Sequence, residues 1–380
     1  MINFALSDHQ LKLQQDTRAF CDEFIRPVAR AHDLSGEFPM AVVKKAYERQ
    51  LVNGLIPKEF GGVGHSAFDA ALVSEELGAA CAGIGICIDA NNLALTPIYV
   101  GGSDAQKKKF FGELIEKRGL ASFCLSEPGA GSDAGAQKTV AVRKGDKYVI
   151  NGMKHYSTNG CVADLLTLFC STDPSKGARG TSCIVVPTNT PGLRMGKTLD
   201  KMGQRASCQE EWYFEDVEVP AENLLGKEGM GFIIAMKTLD RTRAGVAALA
   251  VGVAREAYEI SSKYAMNRVQ FGQPVASFQA MGFMFADMYK KIELSRLITW
   301  KSAWAVDTKA SDLSTLSAIA KLFASDTAME VTTDAVQAMG GAGYSRDHIV
   351  EKLMRDAKLL QIYEGTNQIQ RLVISRNILK

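Results

Sequence analysis

The sequence predicts an α+β chain in three successive parts: helical over 1–120, β-rich over 121–230 and helical again over 231–380. Three observations carry this. Five of the ten prolines fall from Pro128 to Pro220 (Pro174, Pro187 and Pro191 lie between), and none follows Pro274. Proline removes a helix donor and clashes with the preceding turn, so the C-terminal part can form long helices and the middle cannot. The middle also holds short apolar runs of strand length, Leu165 to Phe169 and Ser182 to Val186. Both ends instead carry apolar residues at helical spacing.

In chain order, Ser7 with Gln10 three residues on reads as a capping-box helix start. Leu11, Leu13, Phe20, Phe24 and Ile25 supply its apolar face. Ile56 to Gly64 reads as a loop, Ser74 to Gly78 lies on another helix, and Ser103 to Gln106 starts a further one. Tyr148-Val149-Ile150 runs into Asn151-Gly152, a tight-turn signal. Trp212-Tyr213-Phe214 and Val217-Glu218-Val219 give a strand closed by Pro220. Gly231 to Arg268 is proline-free, with Leu239, Val246, Leu249, Val253 and Ala257 at helical spacing. Three more helices are expected near 277–307, 312–340 and 345–376.

Composition narrows the function. Net charge is +2, from 44 basic and 42 acidic residues, which argues against a dedicated nucleic-acid binder. The eight cysteines form no C-x-x-C pair and the five histidines are scattered, so neither a metal site nor a disulfide framework is expected. Free thiols in a reducing compartment are the expectation. Met1 to Phe4 lead directly into a folded-looking segment, and no signal peptide or long apolar span is visible, which points to a cytoplasmic protein without a membrane span.

Two stretches carry the chemistry. Leu359 to Arg371 centres on Glu364-Gly365, an acid between an apolar run and a glycine that lets backbone approach a ligand. Burial would raise its pKa and make it a base. Phe123 to Gly135 is glycine-rich, but its G-x-G-x-x-x-G spacing is one residue too long for a dinucleotide fingerprint and no βαβ pattern surrounds it. It reads as a loop whose N–H groups meet polar ligand atoms.

Together these stretches resemble the catalytic and the flavin- and CoA-binding segments of the acyl-CoA dehydrogenases. Five further segments fit the family's order: Ile56 to Gly64, Asn151 to Gly160, Asp240 to Arg243, Arg268 to Gly272 and Gln337 to Gly341. The resemblance covers essentially the whole chain. It implies an N-terminal α-helical domain, a middle β-barrel domain and a C-terminal four-helix bundle. It implies FAD as cofactor, an acyl-CoA substrate, an electron-transfer flavoprotein as acceptor and a homotetramer.

By the same resemblance Glu364 removes the α-proton, and its N–H, with the flavin ribityl group, binds the thioester oxygen. Phe123, Leu125 and Ser126 match the flavin-ring site, and Tyr156 and Thr158 its other face, with Tyr156 where tryptophan is usual. Arg268, Phe271, Thr366 and Gln368 match FAD contacts, and Gln337, Gly340 and Gly341 a segment reaching FAD across a subunit contact. Ser132, Asp240 and Arg243 match CoA contacts, and Tyr363 and Gly365 are further substrate-binding positions. Asp89 departs from the usual small neutral residue facing the acyl pocket. Either it hydrogen-bonds Asn91, Asn92 or backbone, or it is a second acid, as in members acting on alicyclic thioesters of the cyclohexanecarboxyl-CoA type. The alternatives are a straight- or branched-chain acyl-CoA dehydrogenase, a flavin monooxygenase of the same fold, or a non-catalytic flavin- or CoA-binding relative.

Overall fold

The computed structural model describes residues 5–379, so the expectation for Met1 to Phe4 lies outside the described residues. Ser7 caps α1 (Asp8–Phe20) through the expected reciprocal capping box with Gln10. A π-helical turn, Cys21–Ile25, continues into α2 (Arg26–Ser35), which stops at Gly36 in the left-handed region. After α3 (Met40–Glu48), the Ile56–Gly64 loop holds one 3-10 turn. Further capping boxes, Ser66 with Asp69 and Ser103 with Gln106, start α4 (Ala67–Gly101) and α5 (Asp104–Lys117).

The middle part is one mixed sheet: β1 (Leu120–Cys124), β2 (Val140–Lys144), β3 (Lys147–Thr158), β4 (Ala163–Ser171), β5 (Thr181–Pro187), β6 (Leu193–Thr198), β7 (Gln209–Pro220) and β8 (Leu224–Leu225). The order is β6-β7-β3-β2-β4-β5-β8, with β1 parallel beside β4. Period-2 alternation gives β4 two apolar faces. Leu166 and Leu168 join Tyr148, Trp212 and Phe214 in the core within the sheet, while Leu165 and Phe169 join Leu95 and Phe110 in the core beneath the helices.

Two expectations are corrected here. Asn151-Gly152 is no hairpin turn: β3 runs through it, and the turn lies between Lys144 and Lys147, with Gly145 at φ +63°. Gly152 (φ +143°) marks a bulge against β7, where a Cβ would approach the Thr139 Cα to 2.6 Å. The cysteines are not all free thiols. Cys161 and Cys208 form a disulfide, and the other six are buried and free. The β3–β7 register pairs Thr158 with Gln209 and so brings these two cysteines together across 47 residues of sequence.

The last part contains α6 (Gly231–Asn267), a small hairpin of β9 (Val269–Gln270) and β10 (Gln273–Pro274), α7 (Gln279–Asp307), α8 (Leu313–Met339), α9 (Gly341–Tyr344), α10 (Val350–Leu360) and α11 (Asn367–Ile378). The helix expected over 345–376 is therefore broken, at Gln361–Thr366. Glu364 and Gly365 both have positive φ there (+54° and +90°), which no helix accommodates. The expectation of no long apolar span is also corrected. By length and composition α4 could cross a membrane, but its apolar window is wholly buried. It is apolar on all sides because α1, α6, α7 and β1 surround it.

The α4–α6 crossing is set by two glycines. A Cβ on Gly78 would lie 2.3 Å from the Leu249 carbonyl oxygen, and one on Gly252 would lie 2.0 Å from that of Glu75. Each helix thus offers a bare backbone to a carbonyl of the other. Gly252→Ala is expected to cost at least about 1–3 kcal/mol through overpacking, read by chemical unfolding. Gly282→Ala, on an open face of α7, should cause no loss in the same measurement.

Candidate active site

A cavity of about 1290 Å³ opens between α4, α6, the sheet edge and the Gln361–Thr366 loop. Glu364 and Asp89 both line it. Thr242 Oγ1 donates to Glu364 Oε2 at 3.0 Å. The Glu364 carbonyl accepts from Arg243 Nε at 3.3 Å and from Gln370 Nε2 at 3.1 Å. These bonds hold a strained left-handed glutamate in place. Gly365 sits at φ +90°, where a side chain is strained, and a Cβ there would push aside Gln370 Nε2 at 2.7 Å. Among the described residues the Glu364 N–H donates to no group.

Burial raises Glu364 from 4.5 to about 7. Arg243, the Thr242 hydrogen bond and Lys321 oppose the rise, and Asp89 adds to it. Asp89 accepts from Ser74 Oγ at 3.1 Å and from Asn92 Nδ2 at 3.4 Å. Burial pushes it up too, against those two hydrogen bonds. Gly245 of α6 makes its space: a Cβ there would lie 3.2 Å from Asp89 Oδ2. Asn91 takes no part, being bonded to Asn53 and to the Ala121 N–H. Asp89 is thus both hydrogen-bonded and open to the cavity.

The glycine-rich stretch forms the loop after β1, and Phe123, Leu125, Ser126 and Ser132 line the cavity. A buried ion pair, Lys154 to Glu127 at 2.7 Å, anchors it, with Glu127 also accepting from the Lys138 and Thr139 N–H groups. Opposite, a second bulge in β3 puts Tyr156 at φ +60° and turns it and Thr158 to the cavity. Ser126 Oγ has no partner among the described residues, Thr158 Oγ1 only accepts from Gln209, and Gln209 Oε1 is buried without a partner. Uncommitted polar atoms beside two aromatic faces suit a flat, polar-edged ring.

Arg243, Tyr363, Gly365 and Thr366 also line the cavity. Asp240 does not; it pairs with Arg243 at 2.8 Å and accepts from Ser314. Arg268, Phe271, Gln337, Gly340, Gly341 and Gln368 lie outside the cavity, exposed on the surface. Thr242 and Lys321 escaped sequence reasoning. Thr242 sat unassigned within Asp240 to Arg243, and Lys321 was legible only as a lone lysine in an apolar helical run.

Three family descriptions match this chain in succession: acyl-CoA dehydrogenase N-terminal domain (residues 7–118), middle domain (122–217) and C-terminal domain (229–379). The chain belongs to the acyl-CoA dehydrogenase family. The family comprises FAD-dependent oxidoreductases acting on CH–CH bonds. The chain is 45% identical over 375 residues to the cyclohex-1-ene-1-carbonyl-CoA dehydrogenase of Syntrophus aciditrophicus, covering 98% of itself and 91% of that protein. Butyryl-CoA dehydrogenase from Megasphaera elsdenii matches with a TM-score of 0.97 and 40% identity over the whole of both chains. A chain in the solved structure of the electron transferring flavoprotein of Acidaminococcus fermentans matches at 0.97 and 44%, again over both whole chains.

The raised acid has a stability signature. Glu364 binds its proton more tightly folded than unfolded, so its contribution is full below about pH 4.5 and lost as pH rises through about 7. Glu364→Gln should therefore stabilise the protein at pH 8 by up to about 3 kcal/mol and leave it nearly unchanged at pH 4. Unfolding at the two pH values, with flavin content matched, checks the sign.

Proposed function

We propose that this acyl-CoA dehydrogenase oxidises a compact, alicyclic acyl-CoA to its enoyl-CoA, with Glu364 as base. The observation that carries the reading is the Glu364 carboxylate, facing the cavity from a left-handed backbone, held by Thr242 and raised to about 7. Such a group is ionised enough near neutral pH to accept a proton and basic enough to remove one. A thioester carbonyl acidifies its α-carbon. The uncommitted Glu364 N–H donates to that carbonyl oxygen as charge develops there. Glu364 takes the α-proton and a double bond forms between Cα and Cβ. Bound FAD supplies the two-electron acceptor for the hydrogen leaving the β-carbon.

Phe123, Leu125 and Ser126 would hold one side of the flavin, Tyr156, Thr158 and Thr366 the rest of its ring site. Ser132, Asp240 and Arg243 would serve CoA, the last two as an ion pair, and Tyr363 and Gly365 would flank the thioester. Arg268, Phe271, Gln337, Gly340, Gly341 and Gln368, outside this cavity, would contact FAD bound in another subunit. An electron-transfer flavoprotein in the cytoplasm is the proposed electron acceptor.

Asp89 supports the alicyclic substrate. Among the described residues it has no cationic partner, and a straight alkyl chain would offer its carboxylate nothing. A ring bent toward it brings a second activated carbon within reach of an acid that Glu364 cannot serve. The relative from Syntrophus aciditrophicus, named for a cyclohexene carbonyl-CoA, favours the same class. The likeness to butyryl-CoA dehydrogenase keeps a short straight chain as the second reading. The cavity-facing Glu364 favours a dehydrogenase over an oxygen-activating or non-catalytic relative.

Glu364→Gln should lose turnover by roughly 10²–10⁴-fold while retaining flavin. Asp89→Asn and Asp89→Ser should lose activity on cyclohexane- or cyclohexenecarbonyl-CoA while keeping it on butyryl-CoA, in steady-state assays with an artificial acceptor. A wild-type preference for butyryl-CoA would end the alicyclic reading.

Association is expected as well. Phe271 is 94% and Tyr344 85% exposed, and α7 presents Phe283, Tyr289 and Trp304 to solvent. Light scattering of the flavin-loaded protein should give four times the 41.2 kDa chain mass. A monomer that keeps its flavin would contradict this.

A further inference from the structure

Lys321 is fully buried in the first half of α8, in the apolar run Ala318 to Ala324. Its ammonium donates to the Gly365 carbonyl and to Asn367 Oδ1, both at 2.8 Å. Among the described residues it makes no ion pair, although a buried ammonium is costly without one. Asn367 is itself fixed, donating to Ser325 Oγ at 2.9 Å and to Asp326 Oδ1 at 2.6 Å. No role in the chemistry has so far been given to this charge beyond its opposition to the rise at Glu364.

Its neighbours tell what it acts on. The charged groups facing Lys321 are Glu364 from the loop, Arg243 from α6 and Asp326 on its own helix. Those facing Glu364 are Arg243, Asp89 from α4 and Lys321. Arg243 is matched by Asp240 at 2.8 Å, and Asp326 by Arg371 of α11 at 3.1 Å. Of the two cations near Glu364, Lys321 is therefore the one without a counter-ion of its own. Its bond to Gly365 completes a set in which Arg243 and Gln370 hold the Glu364 carbonyl, and Gln370 also reaches that of Gly365 at 2.9 Å.

We infer that Lys321 is a positioning residue for Glu364: it pins the carbonyl that follows the left-handed pair, and its uncompensated charge favours the ionised carboxylate. The catalytic half of this inference rests on Glu364 being the base. Burial brings Lys321 itself down to about 7, with Glu364 opposing the fall. When Glu364 takes a proton, Lys321 loses the anion that favours its charge.

The test uses flavin-loaded wild type, Lys321→Met and Lys321→Gln; the glutamine retains a neutral donor. The carboxyl stretching band of protonated Glu364, assigned by its loss in Glu364→Gln, is titrated by infrared spectroscopy without substrate. Removing an opposite charge should raise its midpoint by roughly one to three units in both variants. The acid limb of the kcat profile should move up with it, with KM changed far less. A wild-type midpoint in either folded variant would overturn the inference, and if Lys321→Met does not fold, Lys321→Gln decides alone. The infrared titration does not depend on turnover, so it separates this inference from the base assignment. Retained activity in Glu364→Gln would remove the base assignment, and the catalytic half of the inference with it.

Discussion

The close approach of α4 and α6 is the constraint on which the site depends. Gly78 and Gly252 let each backbone meet a carbonyl of the other helix, and nothing larger fits at either position. That spacing brings Ser74 and Asp89 of α4 opposite Thr242, Arg243 and Gly245 of α6. It puts Asp89 over Gly245, while Thr242 on α6 bonds Glu364 from the loop. What the spacing sets directly is the 3.2 Å approach that a Cβ on Gly245 would make to the Asp89 carboxylate. The apolar cores therefore serve as a jig for polar chemistry at one cavity.

The catalytic loop is held from several sides. Side chains from α6, α8 and α11 all bond its carbonyls. Positive φ at a glutamate is disfavoured, and it persists where the surroundings over-determine it. Here the strain has a use. It breaks what would otherwise be one helix from α10 into α11, and it sets an acid at the cavity wall with its own N–H unbonded among the described residues. Burial then adjusts the acid, with Arg243 and Lys321 limiting how far the adjustment goes.

Much of this was legible in the sequence, for reasons particular to each element. Ser7 and Ser103 announced helix starts because a capping box is local chemistry. Proline placement separated the strands from the long helices because its steric effect is local too. Asn151-Gly152 misled, because a residue pair suited to positive φ serves a bulge as well as a turn and only the β7 partner distinguishes them. The Cys161–Cys208 bridge was hidden by 47 intervening residues that the sheet register closes. Glu364 stood out because an acid flanked by an apolar run and a glycine is unusual. Thr242 and Lys321 did not, since their importance comes from the loop they face and that loop lies far away in the chain.

Helix α4 has a consequence for synthesis. It is the apolar centre of the molecule, yet its main cover, α6, begins only at Gly231. Residues 102–230 must be made between them. At roughly 5–20 residues per second, that interval is on the order of ten seconds. During it, a helix with the composition of a membrane span has α1 and the nascent β part for shelter, and lacks the face it will finally bury. Recombinant yield should then depend on translation speed across the middle part, or on a chaperone that holds α4 until α6 emerges.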